Sequence, residues 1–262
     1  MTARRPFLLS LQSLAQDFFA FFGSLATLLG ESLGYMARGA ISGRHTIAQM
    51  AEVGVGSLGV ALVTVGFSGA VAGLYLAKPL IQYGQANLVG QFVGQSLALE
   101  VAPVITAVVV AARAGSAMAA ELGSMKVTEQ IDALRSLATS PTQYLVVPRV
   151  LGTVLMLPMI TILANGAGIV GGYLAAVTNG VSAPLFWSSL QNVAISDQVS
   201  GLMKTIPFAL IIVLVGCRQG LRTSGGAQGV GRATTSAVVL AMIGIFASDF
   251  FLSFVLQTAS SN

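Results

Sequence analysis

Charged side chains are scarce in this sequence. Only 8% of its 262 residues are Asp, Glu, Lys or Arg, while 55% are hydrophobic and the mean hydropathy is +0.83. A soluble domain carries about 25% charged residues, so this composition leaves too little polar surface for an ordinary soluble protein. The low charge therefore predicts an all-α integral membrane protein, because helices satisfy their own backbone groups in lipid.

Residues that carry catalysis or bind metals are also nearly absent. The only cysteine, Cys217, lies in an apolar run and supports neither a disulfide nor a metal cluster. The only histidine, His45, lies in a basic segment and is typical of a solvated surface residue. No HExxH, CxxC or nucleophile-elbow pattern occurs. We therefore predict no catalytic centre, no metal site and no bound cofactor.

The sequence also lacks an ATP-binding loop. Its glycine-rich stretch, SGGAQGVGRATT at Ser224–Thr235, has no G-K-[ST] ending. That ending supplies the lysine that reaches the phosphates and the hydroxyl that binds Mg²⁺. If the protein moves a substrate with ATP, another subunit must bind the ATP.

The excess of basic residues admits two interpretations. A net charge of +4 and a pI near 9.6 would suit a nucleic-acid partner. Thirteen basic residues spread along a membrane chain more often mark topology. We predict no nucleic-acid partner.

The N-terminal segment predicts an amphipathic helix. Polar residues separate its apolar ones, which suits a helix lying in the membrane surface, although a buried soluble helix would look similar. We divide the chain into an interfacial N-terminal region, residues 1–50, and a transmembrane domain, residues 51–258. The apolar residues at helical spacing are Leu8, Leu11, Leu14, Ala15, Phe18 and Phe22.

Five segments are long and apolar enough to cross a membrane, which takes about 20 residues. Asn179-Gly180 and Pro184 interrupt the longest charge-free run and predict an external loop there. The predicted spans are residues 53–77, 88–112, 150–177, 198–217 and 233–255.

Basic residues outside these spans predict the orientation. Eleven of the thirteen fall on one side, which the positive-inside rule makes cytoplasmic, together with the N-terminus. On the opposite side we expect an aromatic belt of Tyr75, Tyr83, Tyr173, Phe186 and Trp187. The eleven basic residues are Arg4, Arg5, Arg38, Arg44, Arg113, Lys126, Arg135, Arg149, Arg218, Arg222 and Arg232.

Small residues recur at four-residue spacing in several spans. Such spacing lets helix backbones approach closely, and it predicts a tightly packed bundle and is compatible with a dimer. The sets are Gly69 with Gly73, Gly168 with Gly172, and Gly115 with Ala119 and Gly123.

The segment from Arg113 to Arg135 concentrates charge directly after an apolar run. Val127, Ile131 and Leu134 are spaced as one apolar stripe on a short helix, which Ser140-Pro141 ends. The polar face carries both signs of charge, whereas helices that rest on lipid are rich in Lys and Arg. The pattern favours docking into a groove of another protein.

Three ionisable residues lie inside the predicted spans: Glu100, Lys204 and Asp249. Counted from the cytoplasmic arginines at a rise of about 1.5 Å per residue, they lie roughly 20, 21 and 25 Å into the membrane. Pro103 removes a backbone hydrogen bond one turn after Glu100. We predict a polar layer beneath an outward-facing cavity; a buried ion pair or snorkelling is the alternative for Lys204 and Asp249.

At these residues the sequence resembles the MlaE (YrbE) permeases of ABC transporters, which move lipids between bacterial membranes and include the chloroplast lipid-import permease. The resemblance covers about residues 10–256 and is most specific in LALEVAPVITAVVVAARAGSAMAAELGSMKVTEQIDAL. FWSSLQN, PFALIIVLVG, GVGRATTSAVV and SDFFLS also resemble the family. One departure is Glu100-Val101-Ala102-Pro103, where the family often has E-L-G-P.

The resemblance implies a homodimeric permease with an N-terminal interfacial helix and five spans in each copy. A plastid permease is also compatible with it, but no convincing transit peptide is visible, so we expect the bacterial inner membrane. It implies cytoplasmic ABC ATPases, an MCE-domain protein on the outer face, and membrane lipids that pass through a cavity between the copies near Glu100. It also assigns the charged segment as the helix that couples to the ATPase. The implied coupling residues are Glu121, Lys126, Glu129, Gln130, Asp132 and Arg135.

Two other functions stay open from the residues alone. A proton-coupled secondary transporter could use Glu100 or Asp249, although such carriers often show internal repeats and none is visible in the sequence. A membrane scaffold would depend on its docking face and not on its intramembrane charges.

Overall fold

The structure, a computed structural model, is helical throughout its described part. It describes the backbone of residues 4–39 and 41–260, and side chains there except at residues 4–15, 17, 18, 257, 259 and 260. Short 3₁₀ or π segments join some of the helices. The α-helices are α1 Arg4–Ala37, α2 Gly43–Gln82, α3 Val89–Ser96, α4 Ala102–Val110, α5 Ser116–Val127, α6 Gln130–Ser136, α7 Val147–Thr178, α8 Ala183–Leu190, α9 Ile195–Leu221 and α10 Gly226–Ser260.

Among the described residues, five continuous helical segments are long and apolar enough to cross a membrane, which confirms the all-α membrane fold and the predicted number of spans. Each is longer than its prediction because the helices continue past the apolar core of the span. The five segments are Gly43–Gln82, Ala86–Val127, Thr142–Thr178, Ile195–Leu221 and Gly226–Leu256.

The second span is one long helix in which two short π-helical segments interrupt the α-helix. Two π segments, Leu97–Val101 and Ala111–Gly115, join α3, α4 and α5. The prediction that this span ends at residue 112 is wrong, because α5 continues it along α9. Small residues permit that contact: a side chain at Gly123 would meet Thr223, and one at Gly220 would meet Leu122.

Close packing of α2 against α7 uses both predicted glycine pairs. A Cβ atom at Gly69 would overlap the backbone of Gly168, and one at Gly73 would overlap the carbonyl of Gly172. The two helices run parallel, since Gln49 lies against Gly152 at their starts. The glycine pattern therefore serves packing within the chain.

The spans alternate in direction, which gives the bundle two distinct ends. The end that carries Val127, Thr142 and Leu221 holds most of the described arginines and is called the basic end. The end that carries Gln82 and Ile195 is called the aromatic end.

The aromatic end differs from its prediction in two respects. The connection predicted as a loop contains the helix α8. Phe186, predicted in the interfacial belt, is fully buried and packs edge-on against Tyr173, with ring centroids 5.5 Å apart. Tyr75, Tyr83 and Trp187 are exposed, as a belt requires.

Helix α1 is longer than the predicted N-terminal helix and packs on the bundle at the basic end. The Nε–H of Arg218 donates to the Ser24 hydroxyl, and the Thr142 hydroxyl donates to the Glu31 carboxylate at 2.8 Å. The side chains of Leu8, Leu11, Leu14, Ala15 and Phe18, and of Arg4 and Arg5, lie outside the described residues.

Candidate functional site: a polar cluster inside the membrane

Lys204 of α9 is the centre of a polar cluster in the half of the bundle nearer the aromatic end. Its side chain is 2% exposed. The ammonium nitrogen Nζ lies 2.6 Å from Oε1 of Glu100 and 3.1 Å from Oδ1 of Asp249. It also donates to the Ser253 hydroxyl at 2.7 Å. The three ionisable residues predicted at one depth therefore meet in a single site.

Pro103 explains how the second span accommodates Lys204. A proline has no N–H, so the carbonyl four residues earlier, that of Leu99, loses its helical donor. Nζ of Lys204 donates to that carbonyl at 3.0 Å. The helix widens into the π segment Leu97–Val101 at this point, and such widenings occur frequently at functional sites.

Gly201 allows α9 to approach the π segment. A Cβ atom at this position would overlap the carbonyl oxygen of Ala98 and contact the ring of Pro103 at 3.3 Å. Lys204 follows Gly201 by about one helical turn. The close approach at Gly201 thus sets the short distances around the ammonium group.

The cluster has unequal burial and an unbalanced charge. One ammonium group faces two carboxylates, which gives a formal charge of −1 when both are ionised. The side chain of Asp249 is 16% exposed, whereas that of Glu100 is 48% exposed. The hydroxyl of Ser253 donates to Glu100 at 3.0 Å, on the open side of the cluster. The site therefore presents a fixed carboxylate at the surface of the bundle.

No group of three or more His, Cys, Asp or Glu side chains that could hold a metal ion occurs among the described residues. In the polar cluster, the ammonium group of Lys204 lies between the two carboxylates and forms ion pairs and hydrogen bonds with them. A metal site would have the metal ion and further oxygen ligands in that place.

Five of the six predicted coupling residues lie on α5 and α6 at the basic end, and the sixth, Glu129, lies in the turn between these helices. Lys126 of α5 pairs with Asp132 of α6 at 2.8 Å, and Arg135 pairs with the same carboxylate at 2.9 Å. The hydrogen bond from Lys126 lowers the pKa of Asp132, and the charge of Arg135 acts in the same direction. Asp132 is thus ionised at neutral pH, and the stabilisation it provides is lost only in acid, as the pH falls through the lowered pKa.

The predicted apolar stripe on one helix is wrong. Glu129 adopts a left-handed conformation with φ 60° and separates α5 from α6, so Val127 belongs to α5. Ile131 is fully buried in the protein's own core, and Leu134 packs against that core. The sequence could not distinguish an inward stripe from an outward one. The face of α6 that remains open carries Gln130 and Arg135, and Glu129 is exposed directly before it.

Glu121 contributes to the fold as well as to the charged surface. Its carboxylate lies 2.6 Å from Nη2 of Arg149, whose side chain is 4% exposed. Arg149 was predicted to lie in the connection between spans two and three. It is instead buried in the first turns of α7, because the third span already begins at Thr142. The ion pair joins the second span to the third at the basic end.

Two members of the polar cluster were missed by the sequence reasoning. Ser253 follows Asp249 by four residues and therefore shares its helix face, a spacing that could have identified it. Pro103 indicated that a backbone carbonyl near Glu100 lacks its helical donor. It did not indicate that Lys204 supplies the missing donor. These groups can surround Lys204 only because α9 approaches the second span closely at Gly201. No pattern in the sequence specifically indicated that close approach.

Comparison with known proteins agrees with this architecture. Residues 46–255 match the family described as Permease MlaE. The chain is 44% identical to a probable ABC transporter permease protein of Synechocystis sp. over 231 residues, 87% of this chain and 88% of that protein. It is 39% identical to a probable ABC transporter permease protein of Rickettsia typhi over 207 residues, 78% of this chain and 80% of that protein.

A plant protein is also similar. Protein TRIGALACTOSYLDIACYLGLYCEROL 1, chloroplastic, of Arabidopsis thaliana is 38% identical over 232 residues, 88% of this chain and 66% of that protein. The family match extends over most of the chain and includes the polar cluster, α5 and α6. The chain therefore belongs to the MlaE permease family and is the membrane-spanning permease of an ABC transporter.

Proposed function

We propose that two copies of this chain enclose a pathway for a polar lipid, which the transporter moves between the inner membrane and the cell envelope. The half-exposed carboxylate of Glu100, held by the buried ammonium group of Lys204, is the observation that carries this proposal. The chain binds and guides the lipid, and ATP hydrolysis occurs in a separate ATPase subunit.

A charged group on a lipid-facing surface is unfavourable. Its cost at mid-membrane is about 2.5–3.5 kcal/mol on insertion scales, and such residues normally face a water-filled cavity or the interior of a bundle. Glu100 faces neither within one copy. A second copy placed over this surface would enclose the carboxylate in a polar cavity and remove it from the acyl chains.

The adjoining face of α10 is suited to such a contact. The hydroxyl of Ser253 places α10 directly beside Glu100. The face that continues from Ser253 carries large apolar side chains that are more than half exposed, among them Phe246, Phe250 and Phe254. In a dimer these rings would line the cavity or its rim, where they could contact acyl chains.

The chemistry of this surface fits an amphipathic substrate. The polar cluster offers the half-exposed carboxylate of Glu100, backed by the buried ammonium group of Lys204, to hydrogen-bond donors of a headgroup. The phenylalanines of α10 offer an apolar surface to acyl chains. The similar plant protein carries the name of a galactolipid, which supports a polar lipid as substrate. Glycolipid headgroups carry hydroxyl donors, and phospholipid headgroups can carry hydroxyl or ammonium donors, so both classes can donate hydrogen bonds to this carboxylate.

The open face of α6 is the proposed docking site for the ATPase. Gln130 and Arg135 are exposed there, and Glu129 is exposed directly before α6. The ion pair of Lys126 with Asp132 holds α6 against α5. The excess of arginines supports a cytoplasmic location for the basic end and for the N-terminus. The aromatic end would then face the envelope, where we propose that an MCE-domain protein receives the lipid.

Substitution Glu100→Gln tests the lipid pathway. The amide oxygen of glutamine can still accept hydrogen bonds from Lys204 and Ser253, so we expect normal folding. Because the negative charge of the cavity is lost, lipid transfer should slow about tenfold or more. A tenfold change corresponds to about 1.4 kcal/mol in the activation free energy. The measurement is ATP-dependent lipid transfer by the transporter reconstituted in vesicles. Glu52→Gln is the control, because Glu52 is an exposed carboxylate away from the cluster.

The result separates the proposal from its alternatives. Transfer at the wild-type rate by well-folded Glu100→Gln would contradict a role for the cluster in the pathway. Transfer that follows a proton gradient without ATP would instead identify a proton-coupled carrier.

A further inference from the structure

A second surface of the protein combines a long apolar groove with a pair of arginines. The groove lies between α9 and α10, is covered at one end by α1, and has a volume of about 900 Å³. Ligand sites in proteins commonly occupy 300–1,000 Å³. Its walls are Phe21, Phe22, Leu25, Leu210, Ile211, Leu214, Val215, Leu240, Ile243, Gly244, Ala247, Ser248 and Phe251.

The groove is separate from the proposed lipid pathway. In α10 the residues that line it, such as Leu240, Gly244 and Phe251, are on the opposite side of the helix from Ser253 when positions are counted at 100° per residue. Ser253 faces Glu100. The groove and the half-exposed carboxylate thus open on different surfaces of the bundle.

The arginines lie at the end of the groove nearest the basic end of the bundle. The guanidinium of Arg218 stacks over the ring of Phe21, 4.3 Å from its centroid, and Phe21 is part of the groove wall. Arg218 and Arg222 then line a smaller adjoining depression with the hydroxyl-bearing residues Ser24 and Thr27. The apolar groove therefore leads directly to a basic, hydroxyl-lined depression.

The charge in this depression is not neutralised within the described residues. Of the two arginine side chains, only that of Arg218 donates a hydrogen bond to a described residue, from Nε to the Ser24 hydroxyl. The two arginines are four residues apart, Arg218 in the last turn of α9 and Arg222 directly after its end, a spacing at which like charges repel. Glu31 also lines the depression, but its carboxylate accepts a hydrogen bond from Thr142 and forms no ion pair with either arginine.

We propose that this surface binds one anionic phospholipid from the leaflet at the basic end. The phosphate lies between Arg218 and Arg222, whose planar guanidinium groups suit bidentate phosphate binding, and the acyl chain occupies the groove. Basic pockets between membrane helices at this level bind anionic headgroups. The lipid fills the space among α1, α9 and α10 and fixes α1 on the bundle. It is a bound component and not the transported substrate.

The experiment compares lipid binding to the purified full chain and four variants. Arg222→Gln removes an exposed charge, Arg218→Gln removes the stacked one, and Ala247→Trp fills the groove without altering the arginines. Arg232→Gln is the matched control, because Arg232 is an exposed arginine of α10 that does not line the groove. The affinity for phosphatidylglycerol and for phosphatidylethanolamine is measured by native mass spectrometry, with the thermal midpoint as a second readout.

We expect the wild-type chain and Arg232→Gln to bind phosphatidylglycerol preferentially and to gain several degrees in thermal midpoint. Arg222→Gln and Ala247→Trp should each weaken that binding about tenfold, which corresponds to about 1.4 kcal/mol. Because Arg218 also contacts α1, Arg218→Gln should lower the thermal midpoint even without lipid.

Three results would overturn the proposal. Equal binding of both lipids, unaffected by Arg222→Gln, would identify an unspecific annular contact. Equal stabilisation by inorganic phosphate would show that the groove binds no acyl chain. A change in the number of copies caused by Ala247→Trp, with unchanged lipid binding, would show that a second copy covers the groove. None of these results would affect the proposed pathway at Glu100.

Discussion

Replacing Lys204 with methionine is expected to destabilise the protein more than any other single change at the polar cluster. The substitution keeps the volume but leaves Glu100 and Asp249 facing each other, and it removes the donor to the Leu99 carbonyl. Breaking a buried ion pair by removing one partner costs about 3–5 kcal/mol. The measurement is the free energy of unfolding in detergent, together with the yield of monodisperse protein.

A compensated variant separates stability from transport. In Lys204→Met combined with Glu100→Gln and Asp249→Asn, no charge is left without a partner, so we expect most of the lost stability to return. Lipid transfer should stay low, because the headgroup contacts are gone. Wild-type stability of Lys204→Met alone would contradict the central place given to its ammonium group.

Substitution Gly201→Ala is expected to have the second-largest effect. The added methyl group overlaps the carbonyl oxygen of Ala98, and a backbone carbonyl cannot move aside as a flexible side chain can. Overpacking of this kind costs about 1–3 kcal/mol, and separation of α9 from the π segment would also lengthen the contact between Lys204 and Glu100. Both unfolding free energy and lipid transfer should fall.

Gly166→Ala provides the matched control for that substitution. Gly166 lies in the membrane helix α7, and a Cβ atom there meets nothing within 4 Å. Alanine is also the better helix former by about 1 kcal/mol, so this variant should be at least as stable as the wild type. Equal stability of Gly201→Ala and Gly166→Ala would refute the close-approach argument.

The sequence was sufficient for the features that depend on local pattern. Long apolar runs identified five spans, and counting residues placed Glu100, Lys204 and Asp249 at one depth. Spacing of small residues predicted close helix packing, which occurs where Gly69 meets Gly168, but it did not predict that α2 packs against α7. These predictions succeeded because a membrane aligns spanning helices roughly along one axis, so that depth follows residue number along each span.

Features that depend on side-chain direction and helix ends were not predictable. The left-handed Glu129 divides the predicted coupling helix, and Ile131 then turns into the core. Arg149 is buried because Glu121 on another helix neutralises it. A charged residue near a span end looks the same in sequence whether it faces water or a partner, so only the packed structure distinguishes the two.

The most direct test of the account is the composition of the transporter that contains this chain. The chain would be tagged, purified gently from its native membrane and examined by native mass spectrometry. We predict two copies of the chain with ATPase subunits, an MCE-domain protein and bound phospholipid or glycolipid. A chain recovered without ATPase or lipid, under conditions that preserve other membrane complexes, would contradict the proposed lipid pathway.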